Sequence, residues 1–464
     1  MPASPPSGFD TLGLAPAALE NLTRLGYHQM TAIQAASLPP ALLGKDLIAQ
    51  AKTGSGKTAA FALALLANLN ARRFAVQALV LCPTRELADQ VTTEIRRLAR
   101  AEDNIKVVTL SGGVPLRGQT TSLGHGAHIV VGTPGRVLDH IDRGHFQLDA
   151  INTLVLDEAD RMLDMGFVDD IARVARQCPA QRQTLLFSAT YPEGIAKLAA
   201  QFLRDPVTVK VDSQHGGERI EQRWYEVAES ARLPTVARLL DHFRPASALA
   251  FCNTKARCRE LAGLLQAQGY SALALHGDLE QRDRDQVLVR FANGSCSVLV
   301  ATDVAARGLD VAGLAAVINV EVTPDPEVHV HRIGRTGRAG EMGLALCLAS
   351  LDEMGAVGRI DLLQGRESKW HELSELTPAG GPRLLPAMAT VHIQAGRKEK
   401  IRPGDVLGAL TADLGYTREQ VGRIDINEFA TYVAVRREIG GEVVARLNEG
   451  RIKGRSVKAR LLKD

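Results

Sequence analysis

The sequence predicts an α/β protein in which two tandem parallel-sheet domains precede a small α+β domain. Three observations predict it. At 464 residues the chain exceeds what one hydrophobic core usually supports, so two or three domains are expected. Short apolar runs alternate with helical patterns over two long stretches, the rhythm of parallel strands joined by covering helices. After the turn-rich Thr377-Pro378-Ala379-Gly380-Gly381-Pro382 the rhythm changes to strand, helix, two strands, helix, strand, a split βαβ order.

The first stretch places strands at 77–82, 106–110, 128–132, 153–157 and 184–188, with the apolar Leu47-Ile48-Ala49 upstream of them. A polar, glycine-containing segment at 212–218 reads as a linker. Strands resume at 248–252, 272–275, 298–302, 317–320 and 344–349. In the tail, strands at 390–394, 421–426, 430–435 and 456–462 bracket helices at 404–414 and 441–449. The expected domains are 1–211, 219–365 and 386–464.

Composition narrows the class. With 45% hydrophobic and 23% charged residues and no long uninterrupted apolar run, a membrane protein is not expected. The start Met1-Pro2-Ala3-Ser4-Pro5-Pro6 lacks the basic and apolar regions of a secretory signal, which predicts a cytoplasmic protein. Six scattered cysteines without a Cys-x-x-Cys pair predict buried, reduced thiols. Net charge is +3, unevenly spread: residues 386–464 hold 15 Lys/Arg against 10 Asp/Glu, leaving 40 against 42 upstream. The positive excess sits in the tail, where it can meet phosphate.

Two motifs carry chemistry. Ala51-Lys52-Thr53-Gly54-Ser55-Gly56-Lys57-Thr58 joins an apolar strand to a helical pattern, the arrangement that aims backbone N–H groups at phosphate oxygens. Lys57 then reaches the outer phosphates and Thr58 ligates Mg2+. Downstream, Thr153-Leu154-Val155-Leu156 ends in Asp157-Glu158-Ala159-Asp160, carboxylates at the strand end where such sheets collect ligands. Asp157 is the candidate for magnesium, partly through water, and Glu158 for the attacking water of nucleotide hydrolysis.

These residues, with others in order along the first 350 or so, resemble the DEAD-box RNA helicases. The resemblance implies two RecA-like domains that use ATP and Mg2+ and close on RNA. It assigns Phe9 and Gln34, in Gly26-Tyr27 to Thr31-Ala32-Ile33-Gln34, to the adenine base. Pro83, Thr84 and Arg85, then Gly112-Gly113, then Thr133, Gly135 and Arg136 are assigned to the RNA sugar-phosphate backbone, contacts that supply affinity rather than sequence choice. Ser188-Ala189-Thr190, with Asp160, is assigned to coupling hydrolysis to strand separation.

In the second domain the resemblance makes Arg335 and Arg338, in His331-Arg332-Ile333-Gly334-Arg335-Thr336-Gly337-Arg338, arginine fingers for the γ-phosphate. It makes Asp310 a ribose contact, and Thr302, Gln281 and Arg284 RNA contacts. Phe251 reads as a core strand residue from its apolar neighbours.

The tail resembles that of ribosome-assembly members of the family at Ile401-Arg402-Pro403-Gly404-Asp405 and Ile452-Lys453-Gly454-Arg455. That implies a hairpin of large-subunit (23S) ribosomal RNA as partner. Physically, Tyr432-Val433-Ala434-Val435 is poorer in aromatics than a standard recognition strand. Contacts therefore fall to Arg397, Lys398, Lys400, Arg402, Arg451, Lys453 and Arg455, with Lys458 and Arg460 beside them. Three readings stay open: a helicase directed to ribosomal RNA, an ATP-gated RNA clamp, and a general RNA helicase.

Overall fold

Continuous apolar runs become parallel strands buried on both faces, because helices cover each side of the sheet. In the computed structural model, which describes residues 8–51, 54–102, 104–191, 193–211, 220–306, 314–337, 342–380 and 385–462, the chain packs as two units, Met1–Gln214 and His215–Asp464. The first holds strands Leu47–Gln50 (β1), Ala78–Leu81 (β2), Val107–Leu110 (β3), Ile129–Gly132 (β4), Thr153–Leu156 (β5), Gln183–Ser188 (β6) and Val207–Lys210 (β7). Their order is β3-β4-β2-β5-β6-β1-β7 and every pairing is parallel. All seven carboxyl ends therefore share one edge, and two apolar cores lie on opposite sides of the sheet.

The second unit contains Ile220–Glu226 (β8), Ala248–Cys252 (β9), Ala272–Leu275 (β10), Val298–Thr302 (β11), Ala316–Asn319 (β12), Gly343–Ala349 (β13) and Trp370–His371 (β14), ordered β10-β11-β9-β12-β13-β8-β14. The sequence had no strand at β7, β8 or β14. β8 reads Ile-Glu-Gln-Arg-Trp-Tyr-Glu, and its polar residues hid it. Trp224 is buried there, stacked on the His329 ring at 5.4 Å. The two-residue β14 covers the outer edge of β8, and it lies past the expected domain end at 365. All six cysteines are buried and free.

A third, antiparallel sheet belongs to the second unit: Met388–Ile393 (β15), Val421–Ile426 (β16), Thr431–Arg436 (β17) and Ala459–Leu461 (β18), in the order β16-β17-β15-β18. One face carries Val391, Ile393, Val433 and Val435 against the helices Pro403–Gly408 and Gly440–Glu449. The other face presents Thr390, His392, Tyr432 and Ala434, and these are buried as well. Asn293 Nδ2 donates to Thr390 Oγ1 at 2.9 Å, and the Ser295 and Thr390 hydroxyls meet at 2.6 Å. The outer face thus rests on the turn after the helix Gln281–Ala292, which packs this module onto the preceding α/β domain. Among the described residues no helix is long and apolar enough to cross a membrane.

Candidate active site and nucleic-acid interface

The strand order divides the carboxyl edge of the first sheet. β5, β6 and β1 bring together the residues expected at the nucleotide, and β2, β4 and β3 those expected at RNA.

At the nucleotide end, Gly54 and Gly56 take φ of 82° and 96°, a left-handed path that favours glycine. Gly56 then caps the helix Lys57–Ala67. A Cβ at 56 would lie 2.5 Å from Gln34 Nε2, so the turn and Gln34 are fitted to each other. Gln34 Nε2 donates to the Gly56 carbonyl at 3.1 Å while its Oε1 accepts from Thr31 N–H at 2.9 Å. Lys57 is buried, its ammonium on the Ala51 carbonyl at 2.7 Å. Thr58 follows it, half-buried. Ser55 Oγ is enclosed without a hydrogen-bond partner, which is costly unless something binds there. Thr53 lies outside the described residues.

Asp157 and Glu158 are 2% and 5% exposed. Glu158 sits at φ 51°, outside the strand and ahead of the helix Ala159–Asp164, and its N–H donates to Asp157 Oδ1 at 3.0 Å. Burial pushes the Asp157 carboxyl up to about 7; Lys57 opposes the rise and Glu158 adds to it. A cation would offset the cost of two adjacent buried carboxylates. The glycine turn, buried ammonium, enclosed hydroxyl and acidic pair together fit a magnesium-bound nucleoside triphosphate. Phe9 is buried in the first core with its ring edge-on to Tyr27 at 6.3 Å.

Within the nucleotide half, Asp160 Oδ2 accepts from Ala189 N–H at 3.1 Å, Thr190 N–H at 2.9 Å and Thr190 Oγ1 at 3.0 Å. Ser188 Oγ accepts from the Asp160 N–H. The acidic motif and the end of β6 are therefore one bonded piece.

At the RNA end, Pro83 follows β2, and Thr84 caps the helix Arg85–Leu98 through its hydroxyl. Gly112 and Gly113 follow β3 with open space where a Gly112 Cβ would point. Thr133 and Gly135 sit at the start of the helix Pro134–Asp142 after β4. Arg136 donates to the Val114 carbonyl at 3.0 Å, tying that helix to the glycine loop.

In the second unit, Arg284 donates to the Ala305 carbonyl and Gln281 to Asp285. Thr302 ends β11, and Phe251 is buried in the core. The arginine motif splits in role: Arg332 is fully engaged, with both Asp303 oxygens at 2.7 Å, the Glu321 carbonyl and Asn253. Arg335 is described and buried; Arg338 and Asp310 lie outside the described residues.

The tail's basic candidates gather at one end of the module. The turn Arg397–Glu399 lies on the β16–β17 connection, with Arg397 N–H on the Asn427 carbonyl and Lys398 N–H on that of Glu428. No Cβ fits at Gly396, which would meet the Asn427 oxygen at 2.4 Å. Lys453 Nζ donates to the Lys400 carbonyl at 3.0 Å. Arg397, Lys398, Lys400, Arg402, Arg451, Lys453 and Arg455 are all exposed. Beside them the sequence reading missed Phe429, 59% exposed, with the Lys398 ammonium 4.0 Å from its ring centre. An aromatic inside the charged turn 427–430 was the available signal.

The DEAD/DEAH box helicase family matches residues 31–198, the helicase conserved C-terminal domain residues 231–340, and the DbpA RNA binding domain residues 390–461. The chain is 53% identical to the ATP-dependent RNA helicase DbpA of Escherichia coli (strain K12), over 98% of this chain and all of that one. It is 45% identical to the DEAD-box ATP-dependent RNA helicase CshA of Geobacillus kaustophilus (strain HTA426), over 76% of each. Among solved structures it resembles S. cerevisiae Dbp5 bound to RNA and ADP BeF3, with TM-score 0.72 and 31% identity over 79% of this chain and 96% of that one.

Proposed function

Because this chain belongs to the DEAD/DEAH box helicase family and is an ATP-dependent RNA helicase, we propose that it acts in the cytoplasm on large-subunit (23S) ribosomal RNA during ribosome assembly. The observation that carries this is the tail: likeness to DbpA covers 98% of the chain, and the DbpA RNA binding domain matches 390–461. The motor's candidate contacts are backbone amides, hydroxyls and arginines, which grip any strand alike. Target choice then rests with the module, whose exposed basic end suits a folded hairpin recognised by shape and charge. The domains are proposed as 1–211, 219–365 extended by the edge strand β14, and 386–464.

ATP with Mg2+ supplies the phosphoanhydride whose cleavage releases the RNA. With ATP and Mg2+ bound, Lys57 and the loop Thr53 to Thr58 would hold the outer phosphates, Thr58 and Asp157 would hold the metal, and Glu158 would take the proton of the attacking water. Phe9 and Gln34 address the base and Asp310 the ribose. Arg335 and Arg338 neutralise charge developing on the γ-phosphate. Asp160, Ser188 and Thr190 bond the acidic motif to the end of β6, the segment proposed to couple hydrolysis to strand separation.

The test is ATP turnover with a 23S fragment containing the hairpin, against unrelated RNA of equal length, for the full chain and for a chain ending at residue 385. Stimulation confined to the hairpin and lost with the tail supports the proposal. Equal stimulation by both RNAs sinks the ribosomal address and favours a general helicase.

A further inference from the structure

Behind the RNA-facing loops of the first domain lies a chain of hydrogen bonds that the activity above does not use. Gln119, on the helix Leu116–Gly124, donates from Nε2 to the Ser111 carbonyl at 2.8 Å. Its Oε1 faces His140 Nε2 at 3.1 Å, and His140 Nδ1 faces His145 Nδ1 at 2.9 Å. Gln119 and His140 are buried.

The first contact fixes the direction of the second, and the neutrality of His140 that of the third. A carbonyl only accepts, so the Gln119 amide nitrogen must face Ser111 and its oxygen must face His140. His140 Nε2 therefore carries a hydrogen. With a neutral ring its Nδ1 accepts, and His145 Nδ1 donates to it. A charged His140 would reverse this link, its Nδ1–H donating to a His145 Nδ1 that then has to accept. Burial holds the His140 ring down at about 4, helped by His145, Arg136 and Arg143 and opposed by Asp139.

The chain joins two segments that the sequence separates. Ser111 directly precedes Gly112-Gly113, and His140 lies one helical turn after Arg136 on Pro134–Asp142. Arg136 makes its own link to the glycine loop through the Val114 carbonyl. One helix face thus holds the loop at two points, residues i and i+4.

We propose that Gln119 and His140 are positioning residues for RNA binding, fixing the separation between the Gly112-Gly113 loop and the Thr133-to-Arg136 turn so that both meet phosphates of one strand. This rests on the reading that these two segments grip the RNA backbone. Neither side chain touches RNA; together they set where the loops stand.

The test measures binding of a labelled oligo(U) strand by fluorescence anisotropy, using the full chain with a non-hydrolysable ATP analogue. Q119A and H140F are each expected to weaken RNA binding about fivefold, the ~1 kcal/mol of one net buried hydrogen bond. Their double variant should be no weaker than either, because they remove one shared link. H140Q, which keeps an N–H near the Nε2 position, should bind like the parent, and affinity for the analogue without RNA should stay unchanged in all. Parent-like binding by Q119A and H140F, H140Q as weak as H140F, or fully additive losses would overturn the proposal. If H140F does not fold, Q119A must still cost about fivefold and H145A less than twofold, and any other pairing overturns it. R136A separates the underlying reading: if it leaves RNA binding unchanged, these segments do not grip RNA and the proposal falls with them. If R136A weakens binding and Q119A does not, only the positioning role fails.

Discussion

Asp160 holds Thr190 twice, its Oδ2 accepting from the threonine N–H at 2.9 Å and from Oγ1 at 3.0 Å. A change at the acidic motif therefore reaches the end of β6 through bonds rather than through loose packing. Thr190→Val removes one of these bonds and keeps the side-chain shape. We expect RNA-stimulated ATP hydrolysis within about twofold of the parent and duplex separation lowered by roughly 3- to 10-fold, the scale of one hydrogen bond. Hydrolysis and strand displacement measured on the same preparation check this; equal losses in both would mean that the bond serves only the fold.

Glu158→Gln keeps volume and removes the carboxylate proposed as the base. Turnover should fall by about 10²–10⁴ while ATP binding and ATP-dependent RNA binding persist. Arg335→Ala should cost turnover by about 10³ for a different reason, lost stabilisation of the transition state. A Glu158→Gln enzyme within tenfold of the parent would move the base elsewhere.

Charge at the module's end is read by salt. Each phosphate contact contributes roughly 0.7–0.9 to the slope of log affinity against log salt. Replacing Lys398 and Lys400 by alanine should flatten the slope for the ribosomal hairpin by about 1.5. Phe429→Ala should weaken binding without changing the slope, since its contribution is stacking. An unchanged slope in the lysine variant would direct the RNA to another surface.

Two buried rings make the fold sensitive to acid. Burial lowers His140 to about 4 and His329 to about 3, while both titrate near 6.5 in the unfolded chain. Below that value the unfolded state binds more protons, so stability is full above pH ~6.5 and falls as pH drops toward the folded values. By pH 5 each ring should cost about 1–2 kcal/mol. Urea titrations of the parent and of His329→Phe across this range check it: the variant should show the shallower decline.

Thr390→Val leaves the Asn293 amide and Ser295 hydroxyl short of a buried partner, at a cost of about 1–3 kcal/mol. Because the loss falls where the module meets the second α/β domain, limited proteolysis should cut the segment around 377–385 faster than in the parent. Unchanged cleavage would mean that other contacts hold the module in place.

The phosphate loop and the acidic strand were legible because each is a local pattern: a glycine turn before a helix, and three apolar residues, Leu154 to Leu156, ending in carboxylates. Parallel strands buried on both faces were equally plain as continuous apolar runs. Edge strands were not. In β8 the charged and amide residues between Ile220 and Trp224 mask the alternation, and β14 is too short to leave a pattern. The covered face of the module was hidden for a related reason. Thr390, His392 and Tyr432 alternate with Val391 and Val433 as solvent-facing residues do, and only the distant Asn293 and Ser295 show that the face is closed. The link between Gln119 and His140, 21 residues apart, leaves no local trace at all.

That closed face limits how the tail can be exchanged. A module moved onto another helicase core would carry Thr390, His392 and Tyr432 to a surface not shaped for them. It would lose its attachment, or expose a half-polar sheet, unless the receiving core also gained the turn bearing Asn293 and Ser295. Module and motor are therefore exchangeable only as a matched pair, and a graft that ignores the turn should hold the module at no defined distance from its motor.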